Sequence, residues 1–235
     1  MQEVQHLDWD TNFFGYEVGK IMLAEHKSKN NLKVNHDHYE LVYLFSEEAL
    51  NSDDCKNIGA DLVDIKIEFI KSPQATSNML IEDNQIKIKK AGQLSDDLLQ
   101  LVYESGIYSR FKLDNHFVNN EFEKLYKAWI EKSFSDEHAE VLGAYNNQEL
   151  VGFVSLGLKF EIANIGLIAV KENARGMHIG KRLLEAANEY AIAHHSKNLT
   201  VVTQENNIQA MHFYQKNGFT IDKKTYIYHL WKNKQ

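Results

Sequence analysis

Two hydrophobic rhythms run along the chain. Alternation over Tyr16–Leu23, Tyr39–Phe45 and Leu62–Ile70 predicts strands, and a helix from about Glu47 to Ile58 separates the second from the third. Ser95-Asp96-Asp97 reads as a helix start, because a serine oxygen accepts from unpaired amides and acids complement the positive end of the dipole; that helix ends near Gly106. From Glu121 onward Phe122, Leu125, Tyr126, Trp129 and Ile130 recur at helical spacing as one apolar stripe for a core. Val141–Tyr145 and Leu150–Leu158 flank Asn146-Asn147-Gln148-Glu149, a hairpin signature, and Ile162–Val170 adds a third strand. A helix over Ile179–His194, a strand over Leu199–Thr203, a helix over Asn207–Asn217 and a strand over Phe219–Leu230 complete the order βββαβαβ.

Composition narrows the field. With 235 residues, 43% hydrophobic and 25% charged, the chain is long enough for one large domain or two small ones around a real core. The 26 Lys and Arg against 33 Asp and Glu leave a charge of −7, so no basic field draws phosphate backbones and nucleic acid is not an expected partner. Cys55 is the only cysteine, which excludes an internal disulfide and every zinc site built from several thiolates. Met1-Gln2-Glu3-Val4-Gln5-His6 has no secretory character, and the longest apolar run, Ile162–Val170, is about half a membrane span, so a cytoplasmic protein without membrane contact is expected. Pro73 is the only proline, and Ser72-Pro73-Gln74-Ala75-Thr76-Ser77-Asn78 is turn-rich and poor in side chains. A boundary there or slightly beyond gives an N-terminal α/β domain over 1–80 and a larger domain over 81–235.

Two segments carry candidate chemistry. Asn173-Ala174-Arg175-Gly176-Met177-His178-Ile179-Gly180 joins a strand to a helix, where glycines permit close backbone approach and the helix start offers unpaired N–H groups to an anion. No Lys-Ser/Thr ending and no Gly-x-Gly-x-x-Gly is present, so neither a nucleotide-triphosphate loop nor a dinucleotide fold is indicated. In Asn207–Phe219, Asn207 suits a helix cap, Ala210 and Tyr214 share a face, and Gly218 suits the left-handed position that closes the helix. His36-Asp37-His38, His138-Ala139-Glu140 and His194-His195 each lack a supporting ligand set, so they read as solvated surface and no metal is expected.

These two segments, in this order on a βββαβαβ background, resemble the GNAT superfamily of acyl-CoA-dependent N-acetyltransferases over about Gln85 to Trp231. The matching pattern is Arg175-Gly176-Met177-His178-Ile179-Gly180 followed by Asn207 through Phe219. The departure is His178, which stands where the family's loop usually has a glycine. The resemblance implies an α/β (α+β) fold with a central mixed, mostly antiparallel twisted sheet flanked by helices, and acetyl-CoA as acetyl donor. It further implies that Leu167, Ile168, Ala169 and Val170 pair with the pantetheine arm. Arg175, Gly176, Met177, His178, Ile179, Gly180 and Lys181 would hold the pyrophosphate, and Asn207 would contact the arm. Tyr214 would sit beside the thioester sulfur, where a phenol with a reference pKa of ~10 can protonate the departing thiolate.

Leu7-Asp8-Trp9-Asp10-Thr11-Asn12-Phe13-Phe14-Gly15, Tyr108-Ser109-Arg110-Phe111 and Tyr126-Lys127-Ala128-Trp129-Ile130 resemble the bacterial TDP-fucosamine acetyltransferases. That family acetylates the amine of a TDP-linked amino-deoxy sugar, which implies such a small-molecule acceptor here, with Ser109, Arg110 and Phe111 as substrate-binding residues. Asp64 occupies the place of an acid in that family and is the preferred general base; Glu68, on the same strand face, and Glu161 are held in reserve. An acetyltransferase for another amine, an acyl-CoA-binding module without turnover, and a homodimer all stay open at this point.

Overall fold

Alternation and helical spacing both find their counterparts in the computed structural model, which describes residues 3–23, 32–75 and 86–232. The chain divides into two units. The first holds the chain up to Ile67, Gln204–Asn206 and everything from Lys223; the second holds Glu68–Thr203 and Asn207–Asp222. The chain therefore changes unit inside three strands, β4 (Ala60–Lys71), β9 (Asn198–Gln204) and β10 (Thr220–Trp231). The expected boundary at 80/81, the end of the turn-rich stretch and Met1-Gln2 lie outside the described residues.

The first unit contains β1 (Gln5–His6), α1 (Asp8–Phe14), β2 (Val18–Met22), β3 (Leu41–Ser46) and α2 (Ser52–Ile58), besides most of β4 and β10. Its strand order is β1-β2-β3-β10-β4, with β1/β2 and β3/β10 antiparallel and β2/β3 parallel. Val42, Leu44, Tyr228 and Leu230 pack with Ile58 of α2 in one buried cluster. Helix α2 starts at Ser52 rather than near Glu47. The Leu50 amide donates to the Tyr228 hydroxyl at 2.8 Å, and the Asn51 side chain accepts from the Asp54 amide at 2.7 Å, so the helix is capped only from Asn51 on. Helix α1 was not expected. It has Asp8 and Asp10 in its first turn, ends on Gly15 at φ 79°, and buries no residue, so it leaves no periodic trace in the sequence.

The second unit contains β5 (Ile86–Lys90), α3 (Asp96–Ser105), α4 (Arg110–Leu113), α5 (Glu121–Ser135), β6 (Ala139–Asn146), β7 (Glu149–Lys159), β8 (Ile162–Val170), α6 (Ile179–Ala193), most of β9 (Asn198–Gln204) and α7 (Ile208–Lys216). Strands β6 to β8 form the expected antiparallel meander, β5 adds an antiparallel strand beside β6 that the sequence reading did not assign, and β9 joins β8 in parallel, giving the expected mixed, mostly antiparallel sheet. Leu150 through Leu156 of β7 are buried without interruption, as happens only where layers cover both faces. Helices α3, α5 and α6 all pack against β7. A Cβ on Gly152 would meet Ile179 at 3.3 Å and the Ala169 carbonyl at 3.0 Å, so this glycine lets the start of α6 settle on the strands.

Candidate functional site

Strand β8 keeps its two neighbours for only half its length. It pairs with β9 from Ile162↔Asn198 to Ile165↔Val201 and no further, whereas Ile168, Ala169 and Val170 remain paired to Val154, Phe153 and Gly152 of β7. Gly166–Val170 therefore has one satisfied edge and one open edge, and none of its residues is buried. Backbone N–H and C=O groups on such an edge must find partners outside the sheet.

The open edge leads directly into the Arg175–Lys181 segment. The Lys171 amide donates to the Val151 carbonyl at 2.9 Å, a 3-10 turn follows at Glu172–Ala174, and the Arg175 Nε donates to the Val170 carbonyl at 3.3 Å. Gly176 has φ 81° and His178 has φ 57°. The position where the family's loop usually has a glycine thus does adopt the left-handed conformation, with a histidine in it. The His178 side chain makes no capping bond and no acid lies in the first turn of α6, whereas α2, α3 and α7 are capped by Asn51, Ser95 and Asn207. The first-turn amides of Ile179, Gly180 and Lys181 have no intrahelical partner, and a helix of this length places partial positive charge on them. Gly180 has a second reason to be glycine. A Cβ there would sit 3.0 Å from the Phe213 ring, so a bulky residue would wedge α6 from α7 rather than only block a ligand.

Helix α7 presents the remaining pair. The Asn207 side-chain oxygen accepts from the Ala210 amide at 3.1 Å, which leaves its NH2 group for other work. Tyr214 is buried among Phe69, Phe213 and Phe219, with ring centroids 5.5, 5.5 and 5.8 Å away. Burial pushes its phenol well above the usual tyrosine range, so it stays protonated at any physiological pH. Gly218 closes the helix at φ 82°, as its sequence position implied.

Ser109, Arg110 and Phe111 also belong to the second unit. The Ser109 hydroxyl accepts from the Phe111 amide at 3.3 Å and caps α4. The Phe111 ring is buried against Phe117 and Trp129, with the Arg110 guanidinium 4.3 Å from its centroid. Asp64 lies on the stretch of β4 that belongs to the first unit, whereas Glu68 lies in the second. Phe69 faces Tyr214, so Glu68, next along the strand, points to the other side of β4. Glu161 sits in the β7–β8 turn and is ion-paired to Lys197 at 2.8 Å, which holds its carboxyl below the ordinary range. Cys55 on α2 has its thiol pushed up by burial and by Asp54 and Asp61. Among the described residues no group of three His, Cys, Asp or Glu side chains is arranged to hold a metal, and no helix is long and apolar enough to cross a membrane.

The sequence reading missed Ser155 and Gly166. Ser155 is the one polar residue inside the apolar run Leu150–Leu158, and the structure puts it opposite Gly166 at the point where β8 leaves β9. A lone serine in an otherwise apolar buried strand was the available signal.

An open strand edge followed by unpaired helix-start amides suits a ligand with amide groups along an arm and a diphosphate at its end. Comparison with known proteins agrees with this fit. Residues 105–219 match the acetyltransferase (GNAT) family. The spore coat polysaccharide biosynthesis protein SpsD of Bacillus subtilis (strain 168) is 25% identical over 141 residues, 60% of this chain and 49% of that protein. The streptothricin acetyltransferase of Escherichia coli is 36% identical over 96 residues, 40% of this chain and 55% of that protein. The chain thus spans about half the length of these two curated relatives. In fold, the chain is similar to a tandem GNAT protein from the clavulanic acid biosynthesis pathway, with TM-score 0.54 at 15% identity over 85% of this chain and 66% of that one. Over residues 105–219, just under half of its length, the chain is thus similar to the GNAT acetyltransferase family.

Proposed function

We propose that this chain is an acetyl-CoA-dependent N-acetyltransferase whose acceptor is the amine of a TDP-linked amino-deoxy sugar. The observation that carries the donor half is the parting of β8 from β9 after Ile165, immediately upstream of the uncapped start of α6. The pantetheine arm pairs with Leu167–Val170, and the pyrophosphate takes the amides of the Arg175–Lys181 segment. Asn207 contributes its free NH2 group to the arm.

In the proposed reaction the neutral amine attacks the acetyl carbonyl directly in a ternary complex. The C–N bond forms, the C–S bond breaks, and Tyr214 protonates the departing thiolate while water takes the proton that the amine releases. Direct attack is supported by the state of Cys55, the only cysteine, whose thiol is held protonated and is a poor nucleophile. The Lys197 ion pair argues against Glu161 as the base, since a carboxyl held below its ordinary range accepts protons less readily.

The acceptor reading rests on the likeness to SpsD, named for polysaccharide biosynthesis, and on the Leu7–Gly15 and Ser109–Phe111 segments. A second reading, another amine acceptor, is favoured by the likeness to streptothricin acetyltransferase. Mass spectrometry of products from acetyl-CoA with TDP-fucosamine, with the same amino sugar lacking its nucleotide, and with streptothricin separates the two. Preferred acetylation of the nucleotide sugar is expected. Equal kcat/KM for the sugar with and without nucleotide would overturn the acceptor assignment, and no acetylated product from any amine would overturn the catalytic one.

A further inference from the structure

The register of β8 changes by one residue at the place where it leaves β9. Leu156 faces Ile165, but Val154 faces Ile168, so the single residue Ser155 on β7 stands opposite both Gly166 and Leu167. The Leu167 amide donates to the Ser155 hydroxyl oxygen at 2.8 Å. A Cβ on Gly166 would lie 2.8 Å from that same oxygen, so the serine can occupy this place only because residue 166 is glycine. Ser155 is 3% exposed, and loss of its hydroxyl would leave the half-buried Leu167 amide without this acceptor.

Successive N–H groups point to opposite edges of a strand, so one fixed amide sets the sense of its neighbours. Leu167 N–H points to β7 through Ser155, and Lys171 N–H points to β7 through the Val151 carbonyl. Ile168 and Val170 N–H must then point to the open edge. A slip of one residue would reverse this, turning Leu167 and Ala169 outward instead.

We propose that Ser155 is a positioning residue for acyl-donor binding: its hydroxyl pins the Leu167 amide and thereby makes Ile168 and Val170 the donors on the open edge of β8. This rests on the acetyl-CoA reading above and deepens it. The ligand groups that these two amides would meet are carbonyl oxygens along an acyl-pantetheine arm, while the nucleotide end of the same molecule is held elsewhere, at the start of α6.

That division supplies the test. Coenzyme A and 3′-phospho-ADP, which is its nucleotide end without the arm, are titrated calorimetrically into the parent protein, Ser155→Ala and Ser155→Thr. Ser155→Ala is expected to weaken coenzyme A about tenfold, the scale of one lost neutral hydrogen bond, and to leave 3′-phospho-ADP unchanged. Ser155→Thr, which keeps the hydroxyl, should restore most of the loss. In hydrogen exchange the Leu167 amide should lose protection in Ser155→Ala alone. Unchanged coenzyme A affinity in Ser155→Ala, or parallel loss of both ligands, would overturn the role of Ser155. A parent protein that binds neither ligand would overturn the acetyl-CoA reading itself, before any variant is compared. If Ser155→Ala does not fold, Ser155→Cys, similar in volume and a poor acceptor, is read against the same outcomes.

Discussion

The ring centroids of Phe69 and Tyr214 lie 5.5 Å apart, and this packing helps exclude water from the phenol that the proposed reaction uses as its acid. Tyr214→Phe removes only a hydroxyl, so the aromatic contacts survive. The kcat is expected to fall by roughly 10²-fold if proton delivery to the thiolate limits turnover, with the Kd of coenzyme A nearly unchanged. Steady-state kinetics beside calorimetry checks both, and a variant with full kcat would return Tyr214 to the role of a packed aromatic.

The raised phenol also has a signature in stability. Below about pH 10 both folded and unfolded chains keep this proton, and the stabilisation is fully present. As pH rises further, the unfolded chain releases a proton that buried Tyr214 retains, so the unfolded state binds fewer protons and stability falls by about 1.4 kcal/mol per pH unit from this group. Urea unfolding between pH 9 and 11 should therefore show a shallower alkaline loss for Tyr214→Phe than for the parent. Identical slopes would mean that the phenol is solvated.

Asn207 should separate into two functions. Its oxygen caps α7 through the Ala210 amide, and its NH2 group is left for the cofactor arm. Asn207→Ala is expected to lose about 1 kcal/mol of stability together with coenzyme A affinity. Asn207→Ser keeps an acceptor for the cap but loses the amide donor, so its thermal stability should stay near the parent while coenzyme A binding weakens. Equal affinity in Asn207→Ser and the parent would confine the residue to capping.

His178 stands at φ 57° where glycine is the residue without a steric penalty. Relief of that penalty is partly offset by the greater freedom of glycine in the unfolded chain, so His178→Gly should be neutral or stabilising by up to ~1 kcal/mol. His178→Val, β-branched and poorly suited to positive φ, should destabilise by more than ~1 kcal/mol. Coenzyme A affinity should follow the backbone and not the imidazole, surviving in the glycine variant. Loss of affinity in His178→Gly would instead make the side chain a ligand contact.

Much of this was legible in the sequence because the signals were local. Asn207, Gly218 and Ser95 occupy the cap and closure positions that their side chains dictate, and the stripe from Phe122 to Ile130 folds as one helix. What escaped was decided by partners distant in sequence. Helix α2 begins late because the Leu50 amide is taken by Tyr228, and α1 escapes notice because it buries nothing. Ser155 gains meaning only when Leu167 and Gly166 are set against it. Phe111, grouped with Arg110 as a sugar-facing aromatic, has its ring in the core, a distinction that the three-residue motif alone does not contain.

That placement shapes the prediction for the acceptor. The Arg110 guanidinium lies over the Phe111 ring, and the ring is fixed by Phe117 and Trp129, so the planar fork of the arginine is held by the core beneath it. A held fork suits two phosphate oxygens at once, whereas a lysine keeps the charge and loses both the fork and the stacking. Arg110→Lys should therefore raise KM for a TDP-amino sugar about tenfold, the scale of one charge-assisted hydrogen bond, and leave KM for acetyl-CoA unchanged. The same amino sugar without its diphosphate should show no difference between Arg110→Lys and the parent, because the group that Arg110 recognises is missing. Phe111→Leu loosens the platform without removing the charge, so its KM for the nucleotide sugar should rise less than that of Arg110→Lys while the melting temperature falls more. If Arg110→Lys changes KM for sugars with and without nucleotide alike, Arg110 serves the fold of α4 and the diphosphate is bound elsewhere.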